Sequence, residues 1–176
     1  NTSGCSECHE IALLIEGTAW SDPGHLQFGW KDATGTLRYN IISNQNTWIA
    51  NQWYHVAAVI DPVSGMSLFI NGIKQASTEP LGTDSFGTVS NPTVIGAWGD
   101  NYDRNFNGKI EDVRLSDIAR YNTNFTPQCS QLSTDGNTLG LWNFNEASGT
   151  IAYDSSANGY NGNISGGAIY DLEQIC

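Results

Sequence analysis

The sequence predicts an all-β fold built as a two-sheet antiparallel sandwich. Three observations predict it. Apolar and polar residues alternate in short runs, as in Leu26-Gln27-Phe28-Gly29-Trp30. Turn formers separate these runs, among them Asp61-Pro62-Val63-Ser64-Gly65 and Asn71-Gly72. No segment sustains the 3.6-residue apolar period of an amphipathic helix. Alternation buries one face of each strand, so many short strands of this kind must press two sheets together.

The elements follow in order. Residues 26–30 read as a strand and 36–41 as its hairpin partner, with an Asp-x-x-Gly turn over 31–35. Residues 53–60 and 67–70 form a second hairpin across 61–65, and Asn71-Gly72 makes the next tight turn. Further strands are expected over 93–96, 109–115, 140–144 and 167–170. Only 116–121 suits a helical turn. A polar stretch, 130–138, reads as a linker or loop. The organisation is thus an N-terminal segment 1–10, a sandwich body 11–129, the linker 130–138 and a C-terminal segment 139–176.

The chain has 176 residues and a formal net charge of −11. That length suits one sandwich with a core of its own. Lys and Arg are never clustered, which argues against nucleic acid, whose phosphates need a cationic surface. No apolar run reaches the length of a membrane span; Ile11–Ile15 is among the longest. The start, Asn1-Thr2-Ser3, reads as that of a processed, secreted chain, extracellular or at the cell surface. Asn1, Asn124 and Asn163 lie in Asn-x-Ser/Thr patterns, which matter only where the source glycosylates.

Longer motifs carry a resemblance. Trp53-Tyr54-His55-Val56-Ala57 with Asp61, followed by Leu68-Phe69-Ile70-Asn71-Gly72, resembles the central hairpin of laminin G-like domains. Val94-Ile95-Gly96 and Phe106-Asn107-Gly108-Lys109-Ile110-Glu111-Asp112-Val113-Arg114 resemble that family's closing strands. Ser116-Asp117-Ile118-Ala119-Arg120-Tyr121 and Asn124-Phe125-Thr126-Pro127 resemble the tail of many prokaryotic members. The resemblance implies a concanavalin A-like jelly roll, and by itself a binding or adhesion role. It also implies core positions for Trp53 and Trp142 and a packing role for His55. The order is unusual: Leu139-Gly140-Leu141-Trp142-Asn143-Phe144 resembles the family's opening strand but lies near the C-terminus. Either the strand order is permuted, or a neighbouring copy completes the sandwich by strand addition, which head to tail builds a filament.

Cys5-Ser6-Glu7-Cys8-His9 is a C-x-x-C-H motif. In c-type cytochromes that spacing lets two thiols form thioethers to haem while the imidazole becomes an axial ligand. On this reading Cys5 and Cys8 attach haem c, and His9 is one axial ligand. His25 is the first choice for the other, with Met66 next. Cys129 and Cys176 then remain as a disulfide that pins the C-terminal segment. The competing reading makes Cys5–Cys8 a disulfide, or bridges each to a C-terminal cysteine, and leaves His9 on the surface.

Two other sites are candidates. Asp100, Asn101 and Asp103 form an oxygen-rich loop suited to calcium, although Arg114 stands where an EF-hand needs its bidentate Glu. Asp154 and Asn158 are a weaker pair that also suits a turn. Trp98 and Tyr102, in the same acidic loop as the first site, suit stacking on a sugar ring. Hydrolytic chemistry is not expected. Concanavalin A-like glycosidases need two carboxylates on alternate residues of a strand, but Glu111 and Asp112 are adjacent and face opposite sides. No Gly-x-Ser-x-Gly elbow occurs.

The sequence therefore leaves two roles. One is an extracellular, non-catalytic subunit that carries haem c for electron transfer and assembles with copies of itself. The other is a calcium-assisted module that binds glycans or mediates adhesion.

Overall fold

The computed structural model describes residues 11–15, 17, 23–31, 37–75, 93–97 and 105–171. All regular structure among them is β, with no helix. The strands are β1 (Ile11–Ile15), β2 (Leu26–Lys31), β3 (Leu37–Ile42), β4 (Val56–Asp61), β5 (Gly65–Ile70) and β6 (Ile73–Lys74). They continue with β7 (Val113–Ser116), β8 (Thr138–Trp142), β9 (Ile151–Ala152) and β10 (Gly162–Asn163). The chain divides into two compact units, one of residues 1–103 with Tyr121–Pro127, the other of Arg104–Arg120 with Gln128–Cys176.

The first unit is the sandwich. Its two antiparallel sheets run β1-β2-β3 and β4-β5-β6. Leu26, Phe28 and Trp30 of β2 share one face, and Ile41 of β3 pairs opposite Phe28 on that same face. Met66, Leu68 and Ile70 of β5 meet them in a single buried cluster, edged by Trp48, Tyr54, Ala58 and Ile60. This is period-two burial: alternate residues on each strand fill the space between the layers.

Two features depart from simple alternation. All six residues of β5 are buried, not just the inward three. Segment 121–127 covers the outer face, where Tyr121 and Phe125 stack at 3.7 Å and 6°. Phe69 packs against both rings at 6.1 and 5.5 Å, and the His55 ring approaches Phe125 edge-on at 5.4 Å. His55 thus packs against the sheet, as the resemblance implies. On β1 the opposite holds. Ile11, Leu13 and Ile15 pair with Trp30, Phe28 and Leu26 and so point to the core side. They nevertheless remain 51%, 42% and 40% exposed, an apolar row only half covered.

Turns fix the register. Asp61 Oδ1 accepts the amides of Val63 and Ser64 at 2.9 and 2.7 Å and closes the β4–β5 loop. These bonds, with Ser64 first, hold the Asp61 carboxyl below its usual range. Asn71 and Gly72 both take positive φ, 49° and 75°, as a two-residue hairpin turn requires.

In the second unit β7 pairs antiparallel with β8, so the displaced opening-strand motif is hydrogen-bonded to a strand of its own chain. A single bridge, Trp142 to Asp154, leads on to the β9–β10 pair. Trp142 lies across Gly140, where a Cβ would come within 2.6 Å of its ring, and its Nε1 donates to Tyr160 O at 2.8 Å.

Several expected elements differ. Residues 93–96 and 167–170 form no strand, with a bend at 95–96 and a turn at 167. Positive φ at Gly96 and Gly167 turns the chain out of the extended region. Residues 116–121 form a strand end and bends, not a helical turn. The Asp117 amide donates across to Asn137 O at 3.2 Å, and Arg120 Nε takes Ser116 Oγ at 2.6 Å. The stretch 130–138 is tied down by a bidentate Arg120–Asp135 pair at 2.8 and 2.7 Å. That guanidinium, followed by the Thr138 hydroxyl, holds the Asp135 carboxyl well below the usual carboxylate range.

Candidate functional site

The loop between β3 and β4 exposes an uncharged polar surface. Ser43 anchors it. Its Oγ accepts the Leu26 amide at 2.9 Å and donates to Gln45 O at 2.5 Å. Gln75, beyond β6, offers Oε1 to the amides of Asn44 and Gln45 at 3.1 and 3.3 Å. Trp48 turns inward: its Nε1 donates to Gly24 O at 2.7 Å, and Tyr54 meets its ring edge-on at 4.9 Å. Gly24 must be glycine, because a Cβ there would lie 2.3 Å from Asn46 O and its φ is +82°.

With the backbone held this way, Asn44, Asn46, Thr47, Ile49, Asn51 and Gln52 are left exposed. Residues 43–55 include no Asp, Glu, Lys or Arg, on a chain whose net charge is −11. The strip is therefore neutral, rich in amides, and centred on an apolar side chain, Ile49, that is 69% exposed. Amides donate and accept hydrogen bonds equally well, which matches the two-way hydrogen bonding of hydroxyl groups.

His25 borders this strip. Its Nδ1 lies 2.5 Å from Ser43 O. A carbonyl only accepts, so Nδ1 is the donor, and the tautomer with that proton has its lone pair on Nε2. Metal-binding imidazoles are oriented by the same kind of bond. Met66, the alternative ligand, is fully enclosed in the core and cannot serve.

Cys5, Cys8, His9 and Cys176 lie outside the described residues, as do Trp98, Asp100, Asn101, Tyr102 and Asp103. Cys129 is disulfide-bonded, and the other half of that bond is also outside them.

The weaker calcium pair has another use. The Asp154 carboxylate accepts four bonds, from the amides of Leu141, Ser156 and Tyr160 and from the Ser156 hydroxyl, at 2.7 to 2.9 Å. Asn158 turns its Nδ2 to Leu139 O at 3.0 Å. Protein donors fill the carboxylate, so these residues build their own loop. Burial pushes the Asp154 carboxyl up, but the four donors outweigh it and bring it from 3.8 down to about 2. A carboxyl depressed in the folded state stabilises above its unfolded value and loses that contribution as pH falls through its folded one. The gap in urea midpoint between wild type and Asp154→Asn is therefore expected to shrink from about pH 4 to about pH 2. A gap that stays constant over that window would show that the charge on Asp154 contributes nothing.

A family model of the laminin G type, described as concanavalin A-like lectin/glucanases superfamily, matches residues 14–126. The chain belongs to this family. The match spans the strands of the laminin G-type sandwich from Leu14 onward, the neutral strip, and residues 121–126 of the segment that covers β5. No curated protein and no solved structure matches the chain significantly. Laminin G-type domains are typically non-catalytic binding modules and usually extracellular. No helix among the described residues is long and apolar enough to cross a membrane. The neutral strip of this laminin G-type domain was missed from sequence, although its signal, a charge-free run rich in Asn, Gln and aromatic residues, is visible there.

Proposed function

We propose that the chain is a non-catalytic module that binds neutral, hydroxyl-rich ligands, a carbohydrate-recognition or adhesion domain working outside the cell. The observation that carries this is the uncharged strip 43–55, whose exposed amides flank the exposed Ile49 along the chain, on a protein of net charge −11. Such a surface rewards neutral polyols and gives no anchor to anions or cations. Among the strands of the described residues Asp61 is the single carboxylate, and its own turn uses it, which supports binding without cleavage. A shallow pocket of about 250 Å³, lined by Ala147, Ser148, Gly149, Ala168, Ile169 and Tyr170, likewise carries no charged group. Trp98 and Tyr102, with calcium on Asp100, Asn101 and Asp103, would extend recognition to a second loop. A glycan array tests the proposal. The double variant Asn44→Ala, Asn46→Ala is expected to weaken the best signal about tenfold with an unchanged unfolding midpoint. An array silent for wild type, or indifferent to the variant, would overturn it.

One observation favours a second reading. The tautomer that Ser43 imposes on His25 presents Nε2 as a ligand. Cys5 and Cys8 would hold haem c by thioethers, with His9 and His25 as axial ligands, and the group would supply one-electron transfer. The half-covered row on β1 favours assembly with other copies by strand addition. The absorption spectrum of the native protein separates the readings. A Soret band that His25→Ala shifts supports haem, and a colourless protein ends that reading.

A further inference from the structure

The chain contains four Asn-Gly pairs, at Asn71, Asn107, Asn158 and Asn161. This dipeptide is chemically labile because glycine, lacking a Cβ, lets its amide nitrogen approach the side-chain carbonyl before it. Whether the reaction proceeds in a folded chain depends on how firmly the asparagine is held.

Three pairs are held. Asn71 Oδ1 accepts the His55 amide at 2.9 Å, inside the β5–β6 turn. Asn158 Nδ2 donates to Leu139 O at 3.0 Å and Thr138 O at 3.4 Å. Asn161 Oδ1 accepts the Asp154 amide at 2.9 Å, and Gly162 lies in the ladder opposite Ala152. Asn107 differs. Residues 105–110 are exposed and outside any strand, and neither the Asn107 side chain nor the Gly108 amide is hydrogen-bonded among the described residues. The Phe106 ring lies over Gly108, so that a Cβ there would come within 2.7 Å of it.

We infer that Asn107 is a modification site, the position at which this folded chain converts asparagine to aspartate and isoaspartate. The Gly108 nitrogen attacks Asn107 Cγ and loses its proton to solvent base. The Cγ–Nδ2 bond breaks and ammonia leaves, giving a succinimide. Water then opens the ring at either carbonyl, leaving one new carboxylate. No electrons are gained or lost. The product carries one more negative charge, two residues from Lys109, which pairs with Asp171 at 2.8 Å.

The test is incubation of the full chain at mildly alkaline pH, followed by peptide mapping with isoaspartate detection. A parallel sample is kept unfolded in urea. In the folded chain the Asn107 peptide converts at least about tenfold faster than the other three, and Gly108→Ala suppresses that conversion alone. In urea all four convert at comparable rates. Conversion at Asn71, Asn158 or Asn161 as fast as at Asn107 in the folded chain would overturn the assignment. So would a folded chain unreactive at Asn107 while the unfolded chain reacts there.

Discussion

Phe69→Ala is expected to remove about 3–5 kcal/mol of unfolding free energy. Phe69 is fully enclosed, yet it lies on the face of β5 opposite the sandwich core. Its neighbours are the stacked rings of Tyr121 and Phe125, which come from a segment far along the chain. Truncation therefore leaves a cavity under that segment as well as losing the transfer energy of the ring. Leu13→Ala provides the contrast. Leu13 points to the core side of β1 but is 42% exposed, so its loss should cost roughly 1 kcal/mol. Guanidinium unfolding of both variants checks the ranking. A Phe69→Ala cost below that of Leu13→Ala would mean that the outer face of β5 is not a second core.

That second core marks the limit of what the sequence shows. The inward row Leu26, Phe28 and Trp30 and the 56–70 hairpin are legible because alternation and turn residues are local signals. The cover over Phe69 is not, since the contacts that tie it down, such as Lys74 N to Asn124 Oδ1 at 2.8 Å, join residues 50 positions apart. Strand ends were misread for related reasons. The strand expected over 109–115 begins only at Val113, because Asp112 sits at φ 53° and spends its carboxylate on the Leu132 amide and Asn143 Nδ2. The expected start at Trp53 moves to Val56, with the His55 amide given to Asn71 Oδ1. For function, His25 was legible as a ligand type, but its tautomer depends on Ser43, 18 residues away. The neutrality of 43–55 was visible; its exposure was not, because only the fold shows that Trp48 turns inward while Asn46 and Ile49 stay out.

Gly72→Ala carries the other large expected effect, a loss of about 2–4 kcal/mol. Two costs combine. Gly72 adopts φ +75°, where an L side chain is strained. Its Cβ would also fall 1.9 Å from Phe125 O and 2.9 Å from Pro127 Cδ, so the 121–127 segment would have to withdraw. Withdrawal breaks the Phe125 amide bond to Gly72 O at 2.9 Å and uncovers Phe69. Gly159→Ala separates the two costs, since Gly159 has a similar φ of +71° but nothing within 4 Å of its would-be Cβ. It should lose only the backbone part, roughly 1–2 kcal/mol. The displacement itself shows in a double-mutant cycle. Asn124→Ala alone removes the acceptor of the Lys74 amide and costs about 1 kcal/mol. In a Gly72→Ala background the segment has already left, so Asn124→Ala should cost almost nothing further. Full additivity in thermal unfolding would mean that the segment stays in place and that Gly72 is required for its φ alone.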